Sequence, residues 1–233
     1  MPRMLLTPEE WTALGLSLKV AVWSMFICAI PGVLCGWLLS RCQFRGKVLF
    51  DALVHLPLVL PPVAVGYLLL LALGRYGPVG RLLDHVWGGR LAFTWQGAVV
   101  ASTVMAFPLM VRAVRLAVDL VDIRLEQAAA TLGASPLRVW LTITLPLAVP
   151  GILTGLVLTF ARSLGEFGAT ITFVGNIPGI TRTLPLALYA YIEAPGRDAA
   201  AARLMMVSIL LSFAALLASE WLARRTARRV RGH

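Results

Sequence analysis

Five long apolar blocks constrain this chain more than any other feature of its sequence. They cover about residues 14–39, 53–73, 97–118, 145–164 and 204–222, and each comes close to the ~20 residues that an α-helix needs to cross about 30 Å of hydrocarbon. Inside a bilayer the backbone must satisfy its own hydrogen bonds, so blocks of this length and composition read as helices. With 59% hydrophobic and only 14% charged residues in 233, the chain has too little polar surface to cover a water-soluble fold. The expectation is an all-α membrane protein, a polytopic bundle of about five transmembrane helices forming one domain over residues 1–233. The segment 165–203 is only partly apolar, and its piece 184–192 is too short to span, which predicts an interfacial or re-entrant helix. The first block is too long for a signal-peptide core and follows Glu9 and Glu10 rather than a basic stretch, so it predicts a retained span.

Basic residues near span ends stay on the cytoplasmic side. An odd number of spans puts the termini on opposite sides, and two assignments compete. With the C-terminus inside, Arg41, Arg45, Lys47, Arg112, Arg115, Arg124, Arg138 and the tail arginines 224, 225, 228, 229 and 231 are cytoplasmic, against Arg3, Arg75, Arg81, Arg90, Arg182, Arg197 and Arg203 outside. The bias favours the N-terminus outside and the C-terminus in the cytoplasm. The net charge of +10 is then a topology signal and a contact to anionic lipid, not a nucleic-acid footprint.

Several chemistries are absent from the sequence. It has no Walker glycine loop, no HExxH and no GxSxG, and His55, His85 and His233 are scattered. No catalytic residues, cofactor or metal site are expected in this chain. Cys28, Cys35 and Cys42 recur every seven residues along one stripe of the first helix and read as small fillers. Two GxxxG patterns, Gly32 with Gly36 and Gly151 with Gly155, clear flat faces for close helix approach, either for packing or for dimerisation. Prolines 57, 61 and 62 interrupt the second block, which predicts a kinked helix facing protein or water. Arg162 and Glu166 lie four apart at the end of the fourth block, so they face the same way. A structural ion pair and a lining of a translocation route both fit them. Pro61, Pro62, Arg162, Ser163 and Glu166 are the candidate pathway residues.

The connection between the third and fourth blocks, about residues 119–146, falls on the predicted cytoplasmic side. Glu126 to Leu132 are strong helix formers, Gly133 ends or bends that helix, and Ser135-Pro136 can cap and open another. Two short helices lying on the membrane face are expected. Ala128, Ala129 and Gly133 would leave a surface without bulk on which a partner could seat a knob.

The order Gln127-Ala128-Ala129, three residues, Gly133, nine residues, Ile143, one residue, Leu145-Pro146 resembles the EAA loop of the permeases of ABC importers. One departure stands out: Gln127 holds the family's Glu position, with Glu126 immediately before it. The resemblance implies a type I importer permease-like bundle whose loop forms a cytoplasmic coupling helix, with Glu126, Gln127, Ala128, Ala129, Gly133, Ile143, Leu145 and Pro146 as the ATPase-coupling residues. It further implies a homodimer in the bacterial inner membrane, two ABC ATPase subunits on the cytoplasmic face that hold the ATP and Mg, and a periplasmic binding protein. The segments 55–70 and 160–185 are similar to those of molybdate permeases, which implies an oxyanion as cargo, with sulfate or tungstate as alternatives. Asn176, Thr181, Arg182 and Thr183 are candidate outer contacts for that ion or its binding protein. From another class, an ATPase-independent secondary transporter or channel would show repeated halves or intramembrane carboxylates, which this sequence largely lacks.

Overall fold

The computed structural model describes residues 6–87 and 89–231; Arg3 and His233 lie outside them. The described residues form helices and loops without a strand. The helices run α1 (Pro8–Arg41), α2 (Lys47–Val59), α3 (Pro62–Leu73), α4 (Pro78–Trp87), α5 (Trp95–Asp119), α6 (Ile123–Thr131) and α7 (Pro136–Val139). A π turn (Trp140–Thr144) joins α7 to α8 (Leu145–Leu164), and α9 (Gly168–Val174), α10 (Leu184–Glu193) and α11 (Asp198–Arg231) complete the chain. Four stretches are long and apolar enough to cross a membrane: α1, α5, the continuous run Pro136–Leu164, and Asp198–Ala218 within α11.

The fifth candidate is a broken one. Where the sequence predicts a kink in the second block, α2 and α3 meet at 114°. Pro62 has no N–H to offer a preceding turn and instead opens α3 at its first position, where none is needed. None of the residues of α2 is buried, and Val48, Leu49, Leu53 and Val59 are among its exposed apolar side chains.

α5 is the axis of the bundle, because small residues bring α1 and α8 against it. A Cβ on Gly32 would lie 2.4 Å from Met110 Cγ, and one on Gly36 would lie 2.7 Å from Val114 Cβ. On the other flank, a Cβ on Gly151 would lie 2.1 Å from Ala117 Cβ, and one on Gly155 would lie 2.7 Å from Met110 Sδ. Both GxxxG patterns are therefore consumed by packing within the chain. Cys28 is buried on the same stripe and packs beside Met110 and Val114, as a filler would. The outward surface is a band of exposed large apolar residues, including Trp23, Ile30, Leu71, Leu116 and Leu210, the pattern expected of lipid contact rather than of a water-soluble surface.

At the N-terminal end of the bundle, Thr7 and Glu10 form a reciprocal capping box that starts α1. Glu10 is buried and also accepts a 3.0 Å bond from Arg203 of α11, and the Ser17 hydroxyl accepts the Leu184 N–H at 2.6 Å. One end of α1 thus gathers α10 and α11. The segment 165–203 holds α10 where a short helix is expected, and it also holds α9, which was not. α9 buries Ala169, Thr170, Phe173 and Val174, and it runs beside α3 at backbone distance: a Cβ on Gly66 would lie 2.5 Å from the Ala169 carbonyl oxygen.

Candidate functional site

Two places concentrate the residues singled out from the sequence. The first is the end of the bundle where α1 and α5 terminate, with Ser40 hydrogen-bonded to Asp119. There the chain leaves α5, turns at Val121 and enters α6, whose N-cap Asp122 accepts the Arg124 N–H at 2.9 Å. α6 ends in a Schellman motif: the Gly133 N–H donates to Ala130 O at 3.0 Å, and the Ala134 N–H donates to Ala129 O at 3.1 Å. The motif needs a left-handed residue at its hinge, and Gly133 has φ of 85°. A Cβ there would meet nothing within 4 Å, so the glycine is required by backbone conformation and not by crowding inside the chain.

After the turn, Ser135 caps the next helix, with its hydroxyl accepting the Arg138 N–H. Only one short separate helix forms on this face, not two, because the helix opened by Pro136 continues without a stop to Leu164. Leu145-Pro146 therefore lies inside a membrane helix rather than at its entrance. Pro146 has no N–H for the carbonyl four residues back, and the wider π turn directly before it, with Leu145 N–H bonded to Trp140 O, accommodates the proline ring. Ile143 lies in that turn, half-buried.

The faces of α6 separate the two acidic-amide neighbours. Gln127, Ala128, Leu132 and Gly133 are exposed and Ala129 is half-covered. Glu126 turns inward, with its side chain 17% exposed. Its Oε1 accepts from Arg41 Nη2 at 3.0 Å and Nε at 3.2 Å, and from the Thr144 hydroxyl at 2.7 Å. Arg41 Nη2 also donates to Val121 O at 2.8 Å. Arg41 and Thr144 were not among the residues chosen from the sequence. Arg41 registers there only as a topology charge, because no local sequence pattern pairs positions 85 residues apart.

The second place is where two chain breaks meet. The α2–α3 bend at Pro61-Pro62 faces the turn between α8 and α9, and a Cβ on Gly168 would lie 2.6 Å from Pro62 Cβ. Pro61 and Pro62 remain exposed. Beside this junction Arg162 Nη1 pairs with Glu166 Oε2 at 2.7 Å, with side chains 28% and 1% exposed. The second oxygen of Glu166 accepts the Ala169 N–H at 2.8 Å, so this carboxylate also starts α9. Ser163 is buried, and its hydroxyl has no partner among the described residues. Inside a membrane, irregular backbone is tolerated only where protein buries it or water reaches it.

Of the candidate outer residues, Thr181 is fully buried, with its hydroxyl accepting the Ile177 N–H at 2.9 Å and donating to Gly175 O at 3.2 Å. Asn176 donates to Leu186 O at 3.1 Å and accepts from Arg182 Nε at 2.8 Å. Thr183 is buried at the start of α10. Asn176, Thr181 and Arg182 hold the α9–α10 turn in shape, whereas the Thr183 hydroxyl has no partner among the described residues; Asn176 and Arg182, both half-covered, are the more accessible members.

Residues 32–231 match the family model described as binding-protein-dependent transport system inner membrane component. The chain belongs to that family. Such an inner membrane component is a membrane protein of a transport system, in keeping with the apolar exterior and the span-length helices described above. Among relatives, the chain is 59% identical over 221 residues to the molybdenum transport system permease protein ModB of Escherichia coli strain K12, covering 95% of this chain and 96% of that protein. It is 56% identical over 216 residues to ModB of Haemophilus influenzae, covering 93% and 94%. Among solved structures, the fold is similar to that of a chain in inward-facing MetNI, a methionine ABC transporter, with a TM-score of 0.74 at 19% identity over 95% of this chain and 99% of that one. The fold is thus similar to that of a chain of an ABC transporter, all-α, with the short helix α6 carried between two membrane helices.

Proposed function

We propose that this chain is the membrane-spanning subunit of an ATP-driven importer for molybdate. The observation that carries the reading is the 59% identity to a molybdenum transport permease along nearly the whole of both chains. Two copies form the pathway, with N-termini outside and C-termini in the cytoplasm. A pair of separate ATPase subunits, which hold ATP and Mg, engages the exposed surface of α6 and its Gly133 turn. A periplasmic binding protein delivers the ion to the opposite end, where Asn176 and Arg182 are the contacts to test first. ATPase closure moves the two α6 helices and shifts each permease between inward-open and outward-open forms, which requires only that the partner bind those forms with different affinity.

The junction of Pro61, Pro62 and Gly168 fits a pathway wall, because broken helices belong where water or another protein segment covers the backbone. In this reading Arg162 supplies the cationic character an oxyanion needs near the break, while Glu166 holds it in place and prevents the site from trapping the dianion. Passage requires binding weak enough to be released.

The test is uptake into proteoliposomes containing the chain, its ATPase and an oxyanion-binding protein. Molybdate uptake should require ATP and be displaced by tungstate more readily than by sulfate. Uptake driven by sulfate-loaded binding protein, with none from the molybdate-loaded form, would replace molybdate with sulfate in this account.

A further inference from the structure

We infer that Glu126 is a positioning residue rather than an ATPase contact: its carboxylate, clasped by Arg41 and Thr144, is the link through which movement of α6 reaches α1 and α8. The inference rests on the reading of α6 as the coupling helix and assigns a role to the one acidic side chain on it.

None of the nine residues of α6 is buried. Helices usually move their neighbours through packed side chains, and α6 has almost none with which to do so. What it has is a single half-buried carboxylate bonded to two different membrane helices. Arg41 is the last residue of α1, and its guanidinium reaches Glu126 through both Nε and Nη2 while also holding Val121 O. Thr144 is 2% exposed and ends the π turn that leads into α8. The rings of Trp37 and Trp140, with centroids 6.3 Å apart and edge to face, bring the same two helices together beside the clasp.

Three features make this arrangement a transmission point. Charge-assisted bonds are short and directional, so a displaced carboxylate pulls its partners along a defined line. The π turn is a local irregularity of the kind that can shift register without breaking the helix. Gln127, next in the chain and about 100° further round the helix, is exposed. The docking face and the linking face of α6 are thus separate, and position 126 lies on the second.

The experiment compares variants of the chain in proteoliposomes with its ATPase and the molybdate-loaded binding protein, reading ATPase association, ATP hydrolysis and uptake separately. Glu126→Gln and Thr144→Val should associate with the ATPase as tightly as the unaltered chain, yet deliver about tenfold less uptake per ATP hydrolysed, the scale expected for losing a charge-assisted bond. Thr144→Ser, which keeps the hydroxyl, should retain the unaltered ratio and so exclude a folding defect at that position. Arg41→Gln combined with Glu126→Gln should be no worse than either alone, as for members of one network. Weakened ATPase association in Glu126→Gln with no effect of Arg41→Gln would overturn the inference and make Glu126 a docking residue. An unchanged uptake-to-hydrolysis ratio in Glu126→Gln would also overturn it. A separate control, Gly133→Trp, addresses the underlying reading: if it leaves association and uptake intact, α6 is not the coupling helix at all.

Discussion

Gly133 offers the sharpest test of how the α6 turn is built, because conformation and bulk predict opposite orders of damage. At φ of 85° an alanine must adopt the left-handed region, at a cost of about 1–2 kcal/mol, whereas asparagine visits that region more readily despite its larger side chain. Since a Cβ at this position meets nothing within 4 Å, no packing cost inside the chain adds to either. A cost of about 1–2 kcal/mol lowers the population of the native turn by about 5- to 30-fold relative to its alternatives. Apparent affinity for the ATPase should fall by up to that factor, since only the competent turn binds. The assay is a titration of the ATPase subunit against detergent-solubilised Gly133→Ala and Gly133→Asn, with hydrogen exchange at Ala134 reporting whether its bond to Ala129 O persists. Gly133→Asn should bind better than Gly133→Ala and protect Ala134 more. The reverse order, alanine tolerated and asparagine not, would refute the conformational argument and leave steric exclusion by the partner as the reason for glycine.

Three further outcomes are expected. Arg162→Ala leaves the Glu166 carboxylate buried without its cation and should lower stability by about 3 kcal/mol, the low end for a broken buried pair because Arg162 is itself 28% exposed; thermal unfolding in detergent measures this, and Glu166→Gln should cost less. Gly66→Ala puts a methyl group against the Ala169 backbone and should destabilise by about 1–3 kcal/mol, whereas Gly15→Ala, with nothing within 4 Å, should be neutral or slightly stabilising in the same measurement. Ser17→Ala strands the Leu184 N–H in a buried place and should cost about 1–3 kcal/mol, seen as faster amide exchange at the start of α10.

The membrane helices could be found from the sequence because length and apolarity alone define them, and Gly133 could be recognised as a helix end because glycine past a run of helix formers has few other uses. The 114° break between α2 and α3 was visible only as a kink: two consecutive prolines announce an interruption, but its angle depends on Gly66 and Gly168 letting α9 approach α3. α9 itself, GATITFV, is short and carries β-branched residues that disfavour helices in isolation. It forms because Glu166 accepts the Ala169 N–H and because Phe173 is packed into the core beside Val65 and Ala98. The GxxxG pairs declared close contact without naming a partner, and that partner turned out to be α5. Least legible was the clasp around Glu126. Its members are separated by 85 and 18 residues, and no local pattern distinguishes Arg41 from the other basic residues that mark the end of a span.

The central claim, that this chain does no transport unless an ATPase acts on α6, is tested most directly by measuring molybdate uptake into proteoliposomes containing the chain and loaded binding protein, with and without the ATPase subunit and ATP. Uptake only when both ATPase and ATP are present, and its loss in Gly133→Trp, is the predicted result. Uptake by the chain alone, driven by the ion gradient, would contradict the account and make the protein a secondary transporter or channel.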